Sequence, residues 1–162
     1  AKARADANAQ EAQSAAESAT AGAQAKADAA KSAQVLMSFR NELTTAYNQY
    51  TNQGNPAYSS GIQYSNAGNS SMALTMMLSA QNVYIAANDS ISDLDTRYTN
   101  LPASYYDALN NMRLAIKDIL KAMDLLVKSE GTSLDYSTLI NSYKNESFSY
   151  VTRVRSFLDA NR

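Results

Sequence analysis

Acid–base chemistry in this 162-residue chain would have to run on its 15 carboxylates, because it holds no histidine and no cysteine. Thiolate zinc sites, cysteine nucleophiles, Ser-His-Asp triads and histidine pH switches are thereby excluded. So is a di-iron bundle built on inward-facing Glu-x-x-His motifs. Catalytic carboxylates need burial or a like-charged neighbour to tune their pKa. Here Asp93 with Arg97, and Asp124 with Lys128, are spaced as i,i+4 surface pairs, and Asp107, Asp118 and Asp124 fall mostly off the apolar stripe of their helix. The acidic cluster Asp89, Asp93 and Asp95 lacks the central glycine, the spacing and the closing Glu of a calcium loop. The five glycines are scattered, so no phosphate-cradling loop is present. The expectation is a non-enzyme with no catalytic residues, no metal site and no cofactor.

Binding residues are the better prospect. Tyr136, Tyr143 and Tyr150 recur every seven residues, and Tyr84 and Tyr98 sit on another seam. Such a stripe lines a ligand or, as its amphipathic shape favours, edges a core with the hydroxyls reaching water. Tyr58, Ile62 and Tyr64 stand apart, in a polar stretch where packing does not obviously demand them. Long structured loops on rigid scaffolds often carry recognition, so these three are candidate partner-binding residues, their other use being to pin the loop to the bundle. A third set is Ala5, Ala9, Ala12, Ala16, Ala19 and Ala23, which step by four and three along one helix face. Small side chains let backbones approach, making this seam a candidate for self-association. It could equally serve as a rigid spacer, or pack on its own bundle.

The elements that carry these residues are helices. From Tyr105 the apolar positions run Leu109, Met112, Ile116, Ile119, Met123, Leu126, in steps of four and three, with Pro102 upstream and Gly131 at the C′ position. The stripe Tyr136, Ile140, Tyr143, Ser147, Tyr150, Val154, Phe157 repeats the pattern, and Met77, Ala80, Tyr84, Ala87, Ile91, Leu94, Tyr98 precedes it. The expected helices span about 23–52, 70–98, 103–129 and 133–160, each close to 28 residues or about 42 Å. Gly54-Asn55-Pro56 reads as a C′ glycine, an N-cap and a first-turn proline, where one helix stops and another can start. The poor helix formers that follow make 53–69 a long connection with one helical turn near 57–64. A rival reading continues a helix from Pro56 to Tyr98. The fold expected is all-α, an antiparallel up-and-down four-helix bundle over 23–162. Its first helix would extend beyond it as an Ala-rich stretch over 1–22.

Of the 28 alanines, 16 fall in the first 34 residues. Alanine is the strongest helix former, so this segment is expected to be helical rather than coiled. Residues 1–34 resemble in composition the Ala-rich helical stalks of bacterial surface and envelope proteins, as in Ala25-Lys26-Ala27-Asp28-Ala29-Ala30-Lys31. Fourteen basic against fifteen acidic residues leave a net charge of −1, with the signs balanced locally. No basic patch exists to displace counterions, so nucleic acid is not an expected partner. No run of about 18 apolar residues exists to span a bilayer. A chain that opens on Ala1 rather than methionine is expected to be a processed product or a piece cut from a longer chain, with any targeting segment removed. Ser, Thr, Asn and Gln supply a third of the residues, which suggests a secreted or envelope-exposed surface. The functional expectation is a non-catalytic structural or interaction module on a helical stalk, with a protein or cell-surface partner and scope for homo-oligomers through the alanine seam. The alternative is an extracytoplasmic four-helix sensory domain binding a small ligand, and a remote one is an enzyme using carboxylates alone.

Overall fold

The computed structural model describes residues 2–161, and all regular structure among them is helical. Helix α1 (Lys2–Gln49) passes through a π-helical turn (Tyr50–Gly54) into α2 (Asn55–Asn66); α3 (Ser70–Ile91), a short α4 (Leu94–Arg97), α5 (Ala103–Ser129) and α6 (Ser137–Ala160) follow. The chain divides into two compact units at the Ser38–Phe39 junction.

In the first unit every described side chain from Lys2 to Val35 is exposed, and helicity rests on local terms. Alanine supplies intrinsic propensity. Gln13 donates to Glu17 at 3.0 Å and Gln24 to Asp28 at 2.9 Å, both i,i+4. The Thr20 and Ser32 hydroxyls return to the carbonyls of Ala16 and Asp28.

The second unit is the antiparallel up-and-down four-helix bundle. Its core is set by the four-and-three spacing of buried residues: Phe39, Leu43, Ala46 and Tyr50 on the first rod, and Ala73, Met77, Ala80, Tyr84, Ala87 and Ile91 on α3. Helix α5 is the most enclosed, burying Leu109, Met112, Ile116, Ile119 and Met123, while α6 contributes Ile140, Ser147, Val151 and Val154. Each large side chain so enclosed contributes about 1.5–3 kcal/mol relative to exposure. At one end Phe39 meets Tyr98 edge-on at 5.8 Å and lies 5.6 Å from Tyr105, which meets Phe157 edge-on at 4.9 Å. The Arg40 guanidinium donates to the Asn161 carbonyl there. At the other end the Ser65 hydroxyl donates to Glu130 at 2.7 Å. The chain therefore runs 39–66, back through α3 and α4, forward in α5 and back in α6, with Gly68 and Gly131 taking the positive φ (73° and 72°) of the turns at that second end.

Three expectations need correction. The bundle's first rod is 39–66, not 23–52, because the segment expected as a connection, 53–69, is helical as far as Asn66. Gly54 is not a stop; its φ is −64°, and a Cβ there would lie 2.4 Å from the Tyr84 ring. It is small so that a ring can pack against the backbone. The following Pro56 would collide with a carbonyl of a continuous α-helix. The π-turn avoids this: Asn55 N–H bonds to Tyr50 O, five residues back, and Pro56 falls in the first turn of α2, where its missing N–H costs nothing. Second, the helix expected over 70–98 breaks after Ile91. Arg113 reaches in from α5 to bond the carbonyls of Ile91 and Ser92 at 3.1 and 2.6 Å, and α4 restarts at Leu94. Third, the last helix begins at Ser137 rather than 133, where Asp135 Oδ1 accepts from the Ser137 N–H at 2.8 Å.

Candidate functional site

The π-turn determines what its neighbours can do. It aims the Tyr50 hydroxyl at the Ser147 Oγ, 2.5 Å away, on the buried face of α6. Ser147 donates its only proton to the Ala115 carbonyl at 2.6 Å, so Tyr50 is the donor to Ser147. The Tyr50 and Tyr84 rings lie 5.0 Å apart, and the Tyr84 hydroxyl donates to Asn55 Oδ1 at 2.8 Å. Burial pushes the Tyr50 hydroxyl up to about 12, and raises Tyr84 and Tyr58 as well. All three are neutral hydrogen-bonding groups near neutral pH, not phenolate nucleophiles or bases.

Beside this layer α2 and α6 do not close on each other. Two overlapping clefts, of about 280 and about 380 Å³, lie between them and share Tyr58, Ser59 and Lys144. The deeper floor is Tyr50 and Ile119, with Asn55, Asn145 and Phe148 at its edge. Along the second cleft the lining is Ile62 and Gln63 from α2 and Ile140 and Asn141 from α6. The result is a trough with an apolar side, amide groups along both walls and one cation. Phe148 is 67% exposed, the largest exposure of any bulky apolar residue described. Lys144 has no ion-pair partner among the described residues, and no carboxylate lines either cleft. Glu146, two residues along α6, accepts from Ser142 at 3.3 Å instead.

Of the three residues singled out for partner binding, Tyr58 and Ile62 line this trough half-buried, whereas Tyr64 is exposed and outside its lining. They sit on a helix rather than a loop. Of the alanine seam, Ala9, Ala12, Ala16, Ala19 and Ala23 are exposed, and the Ala5 side chain lies outside what is described. Lys144, Asn145 and Phe148 were not singled out. The signal for Phe148 is present, since it is a large apolar residue off the apolar stripe of α6.

No family model, curated protein or solved structure matches the chain.

Several carboxylates serve as fasteners. Glu42 accepts from Arg97 at 3.0 and 2.5 Å and from the Tyr98 hydroxyl at 2.5 Å, while Arg97 also pairs with Asp93 at 2.9 Å. Arg113 forks onto Asp95 at 3.0 and 2.8 Å. The Arg97 bond holds Glu42 below the usual carboxylate range, and the Arg113 bond does the same to Asp95. Two of the three acids of the Asp89 cluster are thus engaged by arginines. Among the described residues no group of three or more acidic, histidine or cysteine side chains converges as a metal site, and no helix is long and apolar enough to cross a membrane. Asp118, expected off the apolar stripe, is instead 6% exposed, with Lys121 Nζ at 3.1 Å.

Proposed function

We propose that this chain is a non-catalytic interaction module of a secreted or envelope-exposed bacterial protein, that the α2–α6 trough is its binding face, and that the Ala-rich helix is a spacer. The observation that carries this reading is the trough itself. Phe148 stands exposed at the edge of a cleft that half-buried Tyr58 also lines, and half-buried Ile62 lines the adjoining one. An exposed aromatic flanked by apolar and amide groups is the composition of a protein-contact patch. The alanine composition of the first unit and the uncharged polar surface support the spacer and the compartment.

A small ligand, as in a sensory domain, fits less well. Ligand sites enclose about 300–1,000 Å³ and bury most of the ligand. The two clefts here, about 280 and about 380 Å³, run together into an open trough rather than an enclosed cavity.

The test is to pan a displayed random-peptide library on the full chain, counter-selecting on Phe148→Ser. Because Phe148 is mostly solvated, that variant keeps its melting temperature. Peptides retained by the parent chain and lost by the variant support the reading. A selection yielding only peptides that bind both alike overturns it.

A further inference from the structure

We infer that the trough selects a peptide segment carrying a large apolar side chain and, about 6 Å from it, a carboxylate. This rests on the reading of the trough as a partner-binding face and specifies the partner's chemistry.

The charge is one-sided. Lys144 belongs to both clefts and so sits where they join, with no carboxylate in the lining of either and no ion-pair partner among the described residues. The nearest acid along α6, Glu146, is hydrogen-bonded to Ser142, and Glu130 is held by Ser65. A segment lying in the trough would strip water from Lys144, and only an opposite charge on that segment offsets the loss. The apolar side has its own address. Phe148 is one helical turn beyond Lys144 on the same face of α6, about 6 Å along the axis, with Tyr58 opposite. An occupant therefore presents its apolar anchor and its carboxylate about one turn apart if helical, or two residues apart if extended. Asn141, Asn145 and Gln63 offer both donors and acceptors, which suits a main chain better than a lipid tail. A single cation is too few for a nucleic-acid backbone.

The experiment runs the peptide selection in parallel on the full parent chain and on Lys144→Glu, with Phe148→Ser as the counter-selection. On the parent chain the trough-dependent peptides are expected to be enriched in Asp or Glu within four residues of an aromatic or aliphatic residue. Replacing that acid by its amide in a synthetic copy weakens binding at least fivefold. On Lys144→Glu the acidic peptides lose at least tenfold, and the same selection enriches Lys or Arg at that spacing. Trough-dependent peptides without acid enrichment, or unchanged binding to Lys144→Glu, overturn the inference while leaving the binding face intact. Absence of any trough-dependent peptide removes both.

Discussion

Between Lys2 and Val35 the chain is helical with every described side chain in water; between Phe39 and Asn66 it is helical with Phe39, Leu43, Ala46, Tyr50, Gly54 and Gly61 buried. The first stretch is made of the best helix formers, and the second contains Gly54-Asn55-Pro56 and Ser59-Ser60-Gly61, among the worst. Propensity and packing are thus divided between the two. Where nothing packs, the residues themselves must favour the helix. Where packing is available, residues are chosen for fit, and local preference is overridden.

The largest effect should come from testing fit where it is tightest. In Gly54→Ala the new Cβ would stand 2.4, 2.8 and 2.9 Å from three atoms of the Tyr84 ring. That ring is fully buried, lies 5.0 Å from Tyr50 and is tethered by its hydroxyl to Asn55, so it has little room to yield. Gly54→Ala is expected to cost about 2–3 kcal/mol by overpacking, although alanine is the better helix former. The urea midpoint of the bundle's transition should fall at constant slope. A neutral or raised midpoint would mean that propensity governs here too.

The same glycine explains how far the fold was legible in the sequence. The stripes of α3, α5 and α6 could be read because burial imposes a period on the residues themselves: Met77 to Ile91 and Leu109 to Met123 need no knowledge of their neighbours. Gly54 could not be read, because its purpose lies in Tyr84, thirty residues away. A glycine that ends a helix and one that admits a ring look alike in a sequence. The trough was half legible for a related reason. Tyr58 and Ile62 stood out as apolar residues in polar surroundings, but Lys144 and Phe148 acquire meaning only from the register of α6 against α2. Arg113 of α5 is a similar case, since besides Asp95 it bonds two backbone carbonyls at the end of α3, which no side-chain pattern records.

A smaller effect separates polar fit from apolar fit in the packed stretch. Ser147→Ala leaves the Tyr50 hydroxyl without its acceptor and the Ala115 carbonyl without its side-chain donor. The expected cost is about 1–2 kcal/mol. Tyr50→Phe on top of it removes the stranded hydroxyl, so the double variant should be less destabilised than the two single losses summed, as a double-mutant cycle by urea unfolding would read. Strict additivity would deny that the two hydroxyls form a unit.

Smaller again is the ionic fastener at the end of the packed stretch. Arg97 depresses the folded-state pKa of Glu42, so its contribution is present at neutral pH and is lost as pH falls through the folded-state value. The pair is partly solvated, which limits the contribution to on the order of 0.5–1 kcal/mol. Glu42→Gln should therefore lower the urea midpoint at neutral pH and narrow its gap to the parent chain as pH falls through and below the ordinary carboxylate range. A gap that is independent of pH would assign the effect to packing or to the Tyr98 hydroxyl bond instead.

The smallest expected effect on the bundle's midpoint is the sharpest test of the comparison, because it repeats the first substitution where packing is absent. Gly22 lies inside α1 with nothing within 4 Å of a Cβ placed on it. Gly22→Ala therefore changes propensity alone, and the exchange favours the helix by about 0.5–1 kcal/mol. The gain belongs to residues held by local terms, so it should appear as slower amide exchange around residue 22 and not as a shift in the urea midpoint of the bundle. One substitution, glycine to alanine, would then stabilise one stretch of helix and destabilise the other. A shifted bundle midpoint in Gly22→Ala would show instead that the exposed stretch contributes to the bundle's cooperative unfolding.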